Sequence, residues 1–360
     1  MTDLVSLISK LIELPTSPGN APALSGALDL VLGELSGYTI EHFESKDTKS
    51  ALVHNQKTRP DKFGIILTVH LDTIPGKSDQ LKPVIRDEKL YGLGVLDMKA
   101  AAACAITVFK EVAEKVDYPL ALQFTTDEEV GGFNGTKHQL DSGVKTDFVI
   151  ATEPTNLEIV TEAKGILQLK ITAHGKAAHG AYPWKGQNAI WEMNQFMSSL
   201  RVEFPDPTPG AWATTINLGN IETSNRSFNK IPDTCTVWLD IRFLPREKNE
   251  IKKRVLKLMP RGFTSEEVVF EPPLQTSNTN SFVLSLSDSV KKVTGHAPLL
   301  RGANGTSDSR FYGVVDIPGV EFGPIGDGMG SDTEWIDLPS LKTYRDILTN
   351  FLLQQSSSLL

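Results

Sequence analysis

Three apolar segments in the first half of the chain each stop on an acid or an imidazole. FGIILTVH (63–70) ends at His70 and is followed by Leu71 and Asp72. ALQFTTDEE (121–129) runs into Asp127, Glu128 and Glu129, and DFVIATEP (147–154) ends at Glu153 and Pro154. Apolar runs of about four to eight residues, closed by polar residues, read as buried strands. Between the first two lies Met98 to Val112, Ala-rich and free of Gly and Pro, which reads as a buried helix. This alternation predicts an α/β fold: a mixed, mostly parallel sheet with helices on both faces. Sites in open sheets of this kind form at the carboxyl edge of the strands. His70, Asp97, Glu129 and Glu153 are therefore expected in one crevice.

The pattern changes after Lys164. ILQLKITAHG (166–175), TTINLGNIE (214–222) and TCTVWLDIRF (234–243) alternate apolar and polar residues, as half-exposed antiparallel strands do. Helices are expected over 187–200 and 250–258, the latter with a basic face. EPPLQTSNTN (271–280) reads as a return linker. Helix 281–294, a short strand near Val320 and a last helix over 339–353 complete the chain. The expected plan is a discontinuous catalytic domain, 1–164 and 275–360, with an inserted α+β domain, 165–274. Leu4, Ile8, Leu11 and Ile12 fit one face of an N-terminal helix.

Composition narrows the function. The 36 basic and 44 acidic residues leave a net charge of −8, so nucleic acid is not an expected partner. The longest largely apolar run, Ala100 to Phe109, is too short to span a bilayer, and no membrane association is expected. MTDLVSLISKLIELP does not read as a secretory signal. The two cysteines, Cys104 and Cys235, form no metal or redox motif. A cytoplasmic location follows as the default. No G-x-S-x-G block is present to suggest a serine hydrolase.

Taken singly, the candidate residues have ordinary readings. A His at a strand end is usually structural, Asp97 is well placed to cap a helix, and Glu128-Glu129 would suit a solvated loop. Together they point elsewhere. Several carboxylates gathered in one place repel and desolvate one another unless a cation neutralises them. An imidazole among carboxylates favours zinc, with cobalt or manganese as neighbours.

TVHLDTIPG (68–76), YGLGVLDMKA (91–100), TTDEEVGG (125–132), ATEPT (151–155) and HGKAAHGAYPWKGQNAI (174–190) resemble the di-zinc amidohydrolases of the acetylornithine deacetylase and succinyl-diaminopimelate desuccinylase family. Carboxypeptidase G2 and aminoacylase are relatives. The resemblance continues through NKIPDTCTVWLDIRFLP (229–245), NGTSDSRF (304–311) and GDGMGSDTEW (326–335). It implies a zinc-binding catalytic domain with an inserted dimerisation, or lid, domain, and so a homodimer. It implies metal-dependent hydrolysis of the amide of a small N-acyl amino acid or peptide. His70 and Glu153 would bind one zinc, Asp97 would bridge two, and Glu129 would bind the second. Asp72 would orient His70, and Glu128 would be the general base. His179, from the partner subunit, would assist the developing oxyanion. Asn229, Arg242 and Arg310 would recognise the substrate carboxylate.

One departure stands out. Where the family has a His ligand for the second metal, alignment on SDTEW (331–335) gives Gly330. None of the seven histidines lies beyond His296. Asp327, Ser331 and Asp332 are the nearby substitutes. Three outcomes stay open: an enzyme with one zinc, one with a weak second metal, or a non-catalytic relative that binds ligand. Leu93, where Arg is common, and Ala100, where Gly is usual, read as packing changes.

Overall fold

The computed structural model describes residues 2–355. They form two compact units: residues 2–162, 275–301 and 307–355 in the first, and 163–274 with 302–306 in the second.

The first unit is built on a mixed sheet. Strands Leu120–Thr125, Phe63–His70, Thr146–Ala151 and Gly319–Glu321 lie side by side and parallel. An antiparallel hairpin, Thr39–Ser45 and Thr48–His54, extends one side, and Ile159–Ala163 runs antiparallel on the other. Phe63–His70 is buried along its whole length, as expected of a strand covered on both faces. Its alternation shows the two faces. Ile65, Leu67 and Val69 pack into the main core with helices Thr2–Ile12, Ala100–Val112, Ser281–Thr294 and Leu338–Gln354. Ile66 instead joins Leu52, Ala121, Val149 and Tyr312 on the opposite side.

The Ala-rich segment forms helix Ala100–Val112, with Ala100 to Ile106 all buried. Ala has high helix propensity, and its small side chains let the helix sit between Thr2–Ile12 and Leu338–Gln354. The helix starts two residues later than its sequence pattern predicts. A tight turn over Val95–Lys99 precedes it, in which Asp97 and Met98 have non-helical backbones and share a cis peptide bond. Asp97 therefore does not cap the helix. Gly94 enters this turn at φ +67°, where a Cβ would lie 2.1 Å from Thr73 Cγ2. Leu93 is buried against Gly76, and Ala100 is buried, so both departures serve packing.

The second unit is a four-stranded antiparallel sheet in the order Thr215–Thr223, Thr234–Phe243, Gly165–His174, Phe263–Glu271. Burial alternates strictly along its two central strands. The buried side, with Leu167, Leu169, Ile171, Val237 and Leu239, packs on helices Ala189–Glu203 and Ile251–Lys257. The edge strand Phe263–Glu271 ends where the sequence suggests that a linker begins.

Candidate active site

Sheet register brings His70 and Glu153 together. Thr68 pairs with Ala151 across the parallel strands. Two residues on, and on the same face, the chains leave the sheet at His70 and Glu153. His70 Nε2 lies 3.9 Å from Glu153 Oε2 and 2.9 Å from Asp97 Oδ1. One ligand atom from each of His70, Asp97 and Glu153 falls within 4.8 Å of the others. Among the described residues this is the His, Cys, Asp and Glu cluster with the spacing of a metal site.

The imidazole is held in one orientation. Nδ1 donates to the backbone carbonyl of Asp72 at 2.9 Å. Nε2 faces a second acceptor, Asp97 Oδ1, so without a cation the ring is held charged; a metal ion would take the place of the Nε2 proton and meet the lone pair of the neutral ring. The Asp72 carboxylate is farther from the ring, at 3.6 Å. Its closer partners are backbone groups: Oδ1 accepts the Glu128 N–H at 3.2 Å and Oδ2 the Glu129 N–H at 2.9 Å. Fully buried Asp72 thus links the imidazole to the Glu128–Glu129 turn.

The charges of this edge are frustrated as they stand. Burial pushes the Glu153 carboxyl well above its usual range, and the Asp97 charge adds to the effect. Burial does the same to Glu128, with Asp308, Asp97 and Asp72 reinforcing it and His70 opposing. For His70, burial favours the neutral ring, but its bonds to Asp72 and Asp97 and the Glu153 charge outweigh this and raise its pKa well above the usual value. Glu129 is pushed up to about 7 by burial. A divalent cation would relieve this crowding, and one nitrogen plus carboxylate oxygens is a donor set that suits zinc. His70, Asp97 and Glu153 therefore fit a metal ion.

The other sequence candidates are placed differently. Glu129 is not in the cluster; its Oε1 accepts the Ile74 N–H at 3.2 Å. Arg310 is buried, with Nη2 donating to Gly131 O at 2.6 Å and Nη1 to Ser307 O at 2.9 Å. It braces the turn that carries Glu128. In the second unit, His179 is exposed, and its Nδ1 accepts the Ala181 N–H at 3.2 Å. The short ladder Ala178–His179 with Lys230–Ile231 sets Asn229 beside it, and Asn229 O accepts the Gly180 N–H. Arg242 makes a two-point contact with Asp240, at 2.8 and 3.1 Å.

Sequence reading does not find Glu334. Nearly buried, it accepts three backbone N–H groups from the Asp97 turn: Leu96 at 2.7 Å and Asp97 at 3.1 Å on Oε1, and Gly94 at 3.1 Å on Oε2. It holds the backbone of Asp97 from the far end of the chain. Lys99 is also buried, its amine pulled down to about 7 by burial while Nζ donates to Leu14 O.

Residues 66–354 match the profile described as peptidase family M20/M25/M40. The chain belongs to this family. It is 28% identical to the succinyl-diaminopimelate desuccinylase of Pelagibacter ubique, over 96% of this chain and 98% of that one. Among solved structures it resembles the aminopeptidase PepT of Bacillus cereus, with TM-score 0.80, 20% identity and 97% of both chains covered. A family M20 metallo-carboxypeptidase from Sulfolobus solfataricus matches at TM-score 0.73 and 17% identity, over 98% of this chain and 99% of that one. The YXEP protein of Bacillus subtilis, described as a dinuclear metal-binding peptidase, matches at 0.72 and 14%, over 98% and 97%. This M20 chain is a metal-dependent hydrolase of amide bonds. No helix among its described residues is long and apolar enough to cross a membrane.

Proposed function

We propose that this M20 hydrolase cleaves the amide of an N-acyl amino acid, of the desuccinylase or deacetylase type, or of a small peptide, using zinc on His70, Asp97 and Glu153. The observation that carries the reading is the convergence of these three side chains, with half-buried Glu128 in electrostatic reach of them. The desuccinylase relative supports the acyl-amino-acid substrate.

Zinc at this site supplies Lewis acidity, which makes a nucleophile available near neutral pH. The protein does the rest. Asp72 and His70 fix the direction of the nitrogen lone pair. Glu128, whose carboxyl burial holds above its ordinary range, accepts the proton of the attacking water and returns one to the leaving amine. His179 of a second copy is assigned to the developing oxyanion. With Nδ1 accepting from Ala181, a neutral ring keeps its proton on Nε2 and is able to donate it as a hydrogen bond. Asn229, Arg242 and Arg310 are assigned to the substrate carboxylate, for which Arg242 must leave Asp240.

A homodimer through the second unit is part of the proposal. Its edge strand Thr215–Thr223 exposes Leu218 and Ile221, and its helix Ala189–Glu203 exposes Trp191 and Val202, apolar surface suited to a two-fold contact. The buried free thiols Cys104 and Cys235 fit a cytoplasmic location.

The test is a panel of N-succinyl and N-acetyl amino acids and tripeptides, run on zinc-loaded protein and on Glu128→Gln. Turnover of one class, abolished in the variant, is expected. No turnover of any member, with binding retained, would favour the ligand-binding reading that Gly330 suggests.

A further inference from the structure

We propose that this chain holds a single divalent cation, on His70, Asp97 and Glu153, and lacks the ligands for a second ion beside Asp97. This rests on the hydrolase reading above and concerns the number of ions that reading uses. It sets the chain apart from the Bacillus subtilis relative, which is described as dinuclear.

A second ion sharing Asp97 needs about two further protein ligands, since zinc sites keep at least three. Glu129 is the one acid in a suitable place by sequence, and it stands outside the metal-spaced cluster, with Oε1 accepting the Ile74 N–H. Ile74 also meets Gly330. A Cβ on Gly330 would stand 3.3 Å from Ile74 Cδ1, and the residue's φ of +70° is one that L side chains rarely adopt. This position offers no donor, and its backbone is shaped for glycine.

The donors next to Gly330 in sequence are engaged as well. Asp327 Oδ1 accepts the Gly328 N–H at 2.7 Å. Ser331 Oγ bonds Thr333, and exposed Asp332 pairs with Lys77. No spare imidazole stands in the first unit. His54 bonds Glu41, His138 lies against the Phe43 ring, and His42 and His296 are exposed.

Chelator-stripped protein is titrated with Co(II) while the visible absorption band is followed, and zinc retained through gel filtration is counted by elemental analysis. One equivalent per chain is expected in both. Glu129→Gln should keep that equivalent, and Glu153→Gln should weaken its affinity at least tenfold. Two equivalents in the unaltered chain, the second lost in Glu129→Gln, would overturn the single-ion proposal and leave the hydrolase reading standing. One equivalent that vanishes in Glu129→Gln would overturn the ligand assignment. No tight binding at all would overturn both readings.

Discussion

Replacing Glu334 by Gln isolates the support of the Asp97 turn. The carboxylate receives three backbone N–H groups, two on Oε1 and one on Oε2. A Gln side chain has one accepting oxygen. If that oxygen keeps Leu96 and Asp97, the amide nitrogen faces the Gly94 N–H, donor against donor. The variant then loses one hydrogen bond to a charged acceptor, about 1.5–3 kcal/mol, and weakens two others by changing a charged acceptor for a neutral one. Against this, a neutral amide escapes the burial penalty that raises the Glu334 pKa. The balance is a loss of about 2 kcal/mol, or about 30-fold in the folding equilibrium of the first unit. Because the Asp97 carboxylate rides on this turn, metal affinity should also fall, by about 10–100-fold. Urea unfolding of metal-stripped protein reads the first effect, and competition with a chromophoric chelator reads the second. An unaltered urea midpoint and zinc affinity in the variant would show that Glu334 does not hold this turn.

Further outcomes follow from the same geometry. Glu128→Gln should lower kcat by about 10²–10⁴-fold while leaving the metal content at the unaltered value, read by elemental analysis. Arg310→Lys should lose the contacts to Gly131 and Ser307. With the brace on the Glu128 turn weakened, kcat and the melting temperature should both fall; unchanged values of both would remove the bracing role. Burial raises the Glu321 carboxyl to about 7 from an ordinary 4.5. The folded state therefore holds a proton that the unfolded chain has lost between these values. Its contribution is fully present below pH 4.5 and is lost as pH rises through 7, a change of about 3 kcal/mol. Glu321→Gln should flatten that part of the stability–pH curve, measured by urea unfolding without metal.

The residues that lie at strand ends were legible in the sequence. His70 and Glu153 close apolar runs, and a parallel register needs only that the runs be neighbours for the two to meet. The inserted antiparallel sheet was legible for a similar reason, since strict alternation marks Gly165–His174 and Thr234–Phe243. Its edge strand Phe263–Glu271 was not, because Ser265, Glu266 and Glu267 face solvent and read as a loop. The hairpin Thr39–Ser45 with Thr48–His54 was hidden in its turn. Lys46 and Asp47 both adopt positive φ, a geometry that Asn-Gly usually announces. Glu334 left no local trace, for its three partners are backbone groups about 240 positions earlier. Asp72 was expected to orient His70; it meets the ring through its carbonyl, while its carboxylate accepts from the next loop. That division depends on backbone direction after the strand, which residue type does not encode. Glu129 was expected among the metal ligands; here it lies outside the His70, Asp97 and Glu153 cluster, with Oε1 on the Ile74 N–H.

The number and ligation of the ion proposed on His70, Asp97 and Glu153 can be read from a crystal of the zinc-loaded protein, with anomalous data collected across the zinc edge. One peak is expected per chain, about 2 Å from His70 Nε2 and from a carboxylate oxygen of both Asp97 and Glu153. The absence of a peak there, or a peak ligated by other residues, would contradict the account.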